Sequence, residues 1–113
     1  DGFTILIGRN NKQNDRLSLK QAQPDDIWLH AQKIPGSHTI IISKGQTVPE
    51  STIMEAAAYA AWFSKARGSG KTAVDYTKAA NLHKPNGTVP GYVTYTDQKT
   101  VYIEPQQPPE EDQ

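Results

Sequence analysis

The sequence has 113 residues, enough for one domain with a modest core and too few for two. It contains no cysteine, which excludes disulfides, thiolate metal sites and a cysteine nucleophile. The formal net charge of zero hides an uneven distribution. Setting aside Asp1 and the tail acids Glu110, Glu111 and Asp112 leaves eight acids against twelve Lys and Arg, about +4, a mild bias compatible with a polyanionic partner.

In chain order, Phe3-Thr4-Ile5-Leu6-Ile7 is rich in β-branched residues and bounded by Gly2 and Gly8, which predicts a buried strand. Residues 9–16 (Arg-Asn-Asn-Lys-Gln-Asn-Asp-Arg) read as a polar loop. Ile27-Trp28-Leu29-His30-Ala31 and His38-Thr39-Ile40-Ile41-Ile42-Ser43 read as antiparallel neighbouring strands. Pro35-Gly36 between them suits a type II turn. Residues 50–67 form the one clear helix. Pro49 stands at its start, Thr52 and Glu55 have capping-box spacing, and Gly68 is placed to end it. Ile53, Ala56, Ala57, Ala60, Phe63 and Ser64 share one face, and the small residues among them allow close approach to a sheet. Trp62 falls nearly opposite. Thr72-Ala73-Val74-Asp75-Tyr76-Thr77 alternates as a strand, and Tyr92-Val93-Thr94-Tyr95 and Thr100-Val101-Tyr102-Ile103 are expected to form a hairpin across Asp97-Gln98.

The expected fold is therefore α+β, a mainly antiparallel sheet packed against one long α-helix, over residues 1–104. Residues 105–113 are Pro-rich and acidic with no other apolar residue, and are expected to form a disordered tail. No run approaches the roughly 18 apolar residues of a membrane span, and no basic-then-apolar leader is present, so no membrane insertion is expected. The chain opens on Asp1 rather than Met, which suggests a domain cut from a longer protein, while its C-terminal end reads as natural.

Ordered segments along nearly the whole chain resemble one family. They are Gly8-Arg9-Asn10-Asn11 with Asn14-Asp15, then Asp25-Asp26-Ile27-Trp28-Leu29-His30-Ala31, then Ile34-Pro35-Gly36-Ser37-His38. Further on come Glu55-Ala56-Ala57 leading to Phe63-Ser64-Lys65-Ala66-Arg67, Val74-Asp75-Tyr76-Thr77, and Lys84-Pro85-Asn86-Gly87 with Pro90-Gly91. Together they resemble NFACT-R, the C-terminal RNA-binding module of the NFACT proteins. That family includes bacterial proteins catalogued as fibronectin-binding protein A and eukaryotic ribosome quality-control factors. The resemblance implies tRNA and large-subunit rRNA as partners, on obstructed large ribosomal subunits in the cytoplasm. It also raises host fibronectin as an alternative partner, with a cell-surface location in a bacterial pathogen. Alanine tailing by bacterial members depends on residues of an N-terminal domain, so none of those carries over to this chain.

The candidate RNA-binding residues fall in four places. The loop supplies Arg9, Asn10, Asn14 and Arg16, cations for phosphate and amides for sugars or base edges. Trp28 and His30 share a strand face, and Trp28 reads as core, which leaves His30 as the candidate for stacking on a base. The turn offers Lys33, Gly36, Ser37 and His38, whose backbone N–H groups could hold an anion. Lys65, Arg67 and Lys84 could form a second phosphate-binding edge. Ordinary structural roles compete at each place: a polar surface loop, a turn feeding a strand, solvated lysines. His30, His38 and Asp26 also invite a metal or hydrolase reading, but they lack ligand spacing and Ser37 lacks a nucleophile elbow. The chain is accordingly expected to be a non-enzyme, with no metal and no cofactor.

Overall fold

The structure is a computed structural model that describes residues 2–68 and 70–109. Its centre is a five-stranded antiparallel sheet built from β1 (Thr4–Ile7), β2 (Ile27–Ala31), β3 (Thr39–Ile42), β4 (Thr72–Lys78) and β7 (Lys99–Ile103), in the order β1-β3-β2-β4-β7. A two-stranded ladder pairs β5 (Leu82–His83) with β6 (Thr94–Tyr95).

The central strand β2 sets the layering. Leu29 lies opposite Thr39 and Tyr76, and Trp28 opposite Ile40 and Thr77, so adjacent residues of β2 face opposite sides of the sheet. On the Leu29 side, Ile41 and Val74 pack beneath α2 (Glu50–Trp62), which presents Ala56, Ala57, Ala60 and Ala61. Four alanines in two turns let the helix backbone settle close to the sheet. Ala58 and Tyr59 are buried as well. Gln106 N–H donates to the Ala58 carbonyl at 3.1 Å, which brings the chain's last described stretch across this side of α2.

On the other side, Trp28, Ile40 and Leu17 form a second apolar cluster, with Leu6, Leu82, Val93 and Tyr95 packed against it. Leu17 comes from residues 9–16's continuation. This segment is helical rather than the expected loop: Asn10 accepts from Gln13 N–H at 2.9 Å and caps α1 (Asn11–Asp15), which continues as a π-helical turn over Arg16–Gln21. A cap of this kind needs only one Asn three residues before a backbone donor, and the polar composition concealed it.

Several further expectations need correction. The mixed architecture and antiparallel sheet stand, but a single long helix does not: α2 has 13 residues and ends at Trp62, and α1 adds a second helix of 5. Phe63, with φ −92° and ψ 29°, leaves the helix because Gly36 and Ser64 form an isolated β-bridge and Lys65 N–H donates to the Pro35 carbonyl at 3.0 Å. Tertiary pairing overrides the helical propensity of residues 63–67. Thr52 is inside α2, and the N-cap residue, Pro49, makes no side-chain cap hydrogen bond. The expected terminal hairpin is also absent. β6 pairs with β5 and β7 with β4, so the two strands belong to different sheets. Of the expected tail, residues 105–109 are described and run beside α2 and β1, while the acids from Glu110 onward lie outside the described residues.

Gly8 is fixed by contact. A Cβ there would fall on Asn14 Oδ1 and stand 3.1 Å from the Asn14 backbone. Asn14 is buried, and its Oδ1 accepts from His38 N–H at 3.1 Å, tying α1 to the start of β3. Gly8→Ala is therefore expected to lower stability by about 1–3 kcal/mol through overpacking and loss of that bond, read as a reduced urea midpoint. An unchanged midpoint would show that α1 can shift without penalty.

Candidate nucleic-acid interface

A groove of about 360 Å³ opens where α1, the turn before β3 and the end of α2 meet. It brings together Arg9, Asn10, Asn14, Gly36, Ser37, Lys65 and Arg67 from three distant parts of the chain. The bridge between Gly36 and Ser64 is what holds the α2 end against the turn. The approach is close: a Cβ on Gly36 would stand 3.1 Å from Ser64 Cβ, so Ser64 would have to give way by a few tenths of an ångström to admit one. The turn differs from a type II turn in that Gly36 does not take the left-handed conformation and Lys33 does, at φ 59°.

The two arginines of the groove are braced by aromatic rings. The Arg9 guanidinium lies 4.3 Å from the Phe63 ring centroid and that of Arg67 lies 4.7 Å from Trp62. Stacking of this kind holds a guanidinium plane while leaving its N–H edge free to meet an oxygen. Among the described residues neither arginine, nor Lys65, makes an ion pair with a carboxylate. All three are exposed. Trp62 and Phe63 were missed as site residues in the sequence because helical periodicity set them on opposite faces, and the helix stops before that periodicity reaches Phe63.

The remaining candidates separate from this groove. Asn14 touches it but is committed to the His38 backbone, and Ser37 is largely buried. Arg16 lines a different cleft, with Leu6, Gln13 and Gln21. Lys84 is engaged internally: its Nζ lies 3.5 Å from Asp15 Oδ2 and donates to the carbonyls of Val89 and Tyr92. It fastens the loop ahead of β6 and does not extend the cationic edge. Lys78 stands elsewhere, 3.9 Å from Asp25. His30 and Lys33 line a second cleft of about 360 Å³ with Trp28, His38, Tyr92 and Tyr95.

His38 is a structural residue. Its Nε2–H donates to the Gly91 carbonyl at 3.0 Å, and Nδ1 accepts from Ser18 Oγ at 2.7 Å, an arrangement that fits the neutral ring. Asp15 Oδ1 accepts from Gly91 N–H at 2.9 Å, so α1, the π-helical turn and the loop at Gly91 all meet at this point. Burial, reinforced by neighbouring His30, lowers the His38 pKa to about 4. Burial also lowers that of His30, against an opposing pull from the carbonyls of Ala31 and Gly36 and from Asp75. His30 Nδ1–H donates to the Ala31 carbonyl at 2.6 Å, and its ring lies parallel to Trp28 with centroids 5.8 Å apart. Neither histidine thus serves as a cation near neutral pH.

Asp26 and Asp75 are likewise spoken for. Asp26 accepts from the backbone of Gln23 and Ser43, and Asp75 accepts from Gln32, Tyr95 and Thr100 side chains. Burial and the bond to Asp75 hold the Tyr95 phenol protonated far above its ordinary range. Among the described residues no group of three or more His, Asp or Glu is placed to hold a metal ion.

The depressed pKa of His38 makes stability depend on pH. The unfolded chain takes up a proton near pH 6.5 and the folded one only near pH 4, so the unfolded state binds more protons in between. Stability contributed by the neutral ring is full above pH 6.5 and is lost as pH falls toward 4, about 2 kcal/mol between pH 7 and pH 5. Urea midpoints across this range should fall with pH in the native sequence, and the fall should be shallower in His38→Gln. Equal slopes in the two proteins would assign the titration elsewhere.

Residues 1–97 match the family described as NFACT protein RNA binding domain. The chain is 53% identical over 104 residues to the Rqc2 homolog RqcH of Bacillus subtilis and 47% identical over 106 residues to that of Streptococcus suis. These alignments take in 92% and 93% of this chain but only 18% and 19% of the relatives, so the chain spans about a fifth of their length. A solved structure, the C-terminal of the fibronectin/fibrinogen-binding protein from Streptococcus suis, superposes with a TM-score of 0.88 at 45% identity, covering 93% of this chain and 42% of that one. No helix among the described residues is long and apolar enough to cross a membrane. With its model matching most of the chain, and the sheet, helices and groove in place, this chain belongs to the NFACT protein RNA binding domain family.

Proposed function

We propose that this module binds the RNA of obstructed large ribosomal subunits, tRNA or large-subunit rRNA, through the groove of Arg9, Lys65 and Arg67. The single observation that supports it most is the pair of ring-braced guanidiniums without carboxylate partners, facing one groove. Fixed, unpaired guanidiniums suit phosphate oxygens, which accept two parallel N–H donors from one arginine. The exposed amide of Asn11 on the same wall adds a neutral donor and acceptor for ribose, while the Asn10 oxygen is held by its cap to Gln13. Similarity to Rqc2 homologs in two bacteria favours a place in ribosome quality control and hence in the cytoplasm. On this reading the module supplies contact and no reaction of its own, in keeping with the internal hydrogen bonding of Asp26, Asp75 and His38.

A second reading, contact with fibronectin, is supported by the likeness to the fibronectin/fibrinogen-binding protein from Streptococcus suis. The surface it would use is β7, an edge strand of the main sheet on which Tyr102 is 66% exposed. A partner strand could extend the sheet there.

The test is titration of labelled deacylated tRNA at low and at moderate salt, with immobilised fibronectin as a parallel arm. Binding should weaken steeply with salt. Arg9→Ala and Arg67→Ala should each reduce affinity on the order of tenfold and lower the salt slope by about one phosphate. Affinity indifferent to salt and to both substitutions would remove the groove from consideration. Binding to fibronectin alone would move the function to the β7 edge.

A further inference from the structure

The cleft on the other side of the turn adjoins the arginine groove. Pro35 lines both, and Lys33 and His38 flank it on the cleft side where Gly36 and Ser37 face the groove. The cleft has two properties that the packing of the domain does not require. Trp28 lines it, is 1% exposed, and its indole Nε1–H has no acceptor among the described residues. An unpaired buried donor is a cost to the fold, and this one sits beneath the cleft wall with its nitrogen covered from solvent. At the mouth, Tyr92 is 50% exposed although it is aromatic and belongs to a loop clamped by Lys84 and, through the Gly91 carbonyl, by His38.

The remaining walls are flat. Tyr95 lies 4.6 Å from Trp28 between ring centroids, and His30 lies parallel to the indole. Lys33, in the left-handed conformation that a side-chain-bearing residue seldom adopts, stands exposed at the rim. The volume of about 360 Å³ falls among clefts that take small planar ligands, which run roughly 300–1,000 Å³.

From this arrangement we infer that the cleft receives one unpaired nucleobase of the bound RNA, whose sugar-phosphate crosses the Pro35 turn into the arginine groove. Tyr92 stacks on the base and Lys33 meets the adjoining phosphate. A base within a duplex cannot enter, so the module selects single-stranded or bulged nucleotides over paired ones. This inference rests on the RNA reading of the neighbouring groove and specifies what that reading leaves open.

The experiment uses the 113-residue chain labelled with 15N and two RNAs of equal strand length, a single-stranded oligouridylate and a blunt, fully paired duplex. The sequence has two tryptophans, so Trp62→Phe identifies the Trp28 indole resonance. The oligouridylate should move that resonance and bind more tightly than the duplex. Tyr92→Ala, at an exposed position, should reduce oligouridylate affinity roughly tenfold and leave duplex affinity unchanged. Lys33→Ala, a second surface variant, should weaken oligouridylate binding as well. Equal binding of the two RNAs with an unmoved Trp28 resonance overturns the base cleft while the arginine groove stands. Failure of both RNAs to bind overturns the RNA reading together with this inference. A Trp28 shift produced by fibronectin and by neither RNA assigns the cleft to a protein partner instead.

Discussion

Everything in this domain follows from a central strand that must be buried on both faces. β2 puts Leu29 toward one side and Trp28 toward the other, and both are withdrawn from water almost completely. Burying a large apolar side chain is worth about 1.5–3 kcal/mol, so neither face can stay open without a serious loss against the few kcal/mol of a small domain's stability. The alanine-rich α2 covers the Leu29 side. Leu17 of the π-helical turn and the β5–β6 ladder cover the Trp28 side. The second cover is made of short elements, and short elements cannot hold position by their own packing.

Polar side chains supply what that cover lacks. Asn14, Asp15 and Ser18, all from one helical stretch, reach respectively the His38 backbone, the Gly91 backbone and the His38 ring. His38 completes the link by donating to the Gly91 carbonyl. A neutral, buried imidazole with one donor and one acceptor nitrogen can join two segments that have no backbone hydrogen bonds to share. The same commitment removes it from any role as a cation, and the same holds for Lys84, drawn inward by Asp15 and two carbonyls.

The functional surface grows from this frame. Ending α2 at Trp62 frees residues 63–67 to bridge to Gly36, and the bridge sets Arg9 over Phe63 and Arg67 over Trp62. Cations on rigid supports meet there from three chain segments, with aromatic side chains close by on the far side of one turn. Both clefts depend on the turn at Pro35, and at the next position Gly36 keeps the approach to Ser64 free of a Cβ.

Composition and patterning alone determined the antiparallel sheet, the antiparallel relation of β2 and β3 and the start of α2, because alternation and proline placement are local properties of the chain. The ordered segments around Trp28, His30 and Gly36 likewise carried the family. What the chain order could not decide was which polar groups look outward. Arg9 and Lys84 are both cations in polar stretches, yet one is braced toward solvent and the other bonded inward. The difference lies in Phe63 and Asp15, neither of which is adjacent to its partner in sequence. The pairing of β6 with β5, the early stop of α2 and the second layer over Trp28 were hidden for the same reason. Each is settled by a contact between segments far apart in the chain, where burial and hydrogen bonding outweigh local propensity.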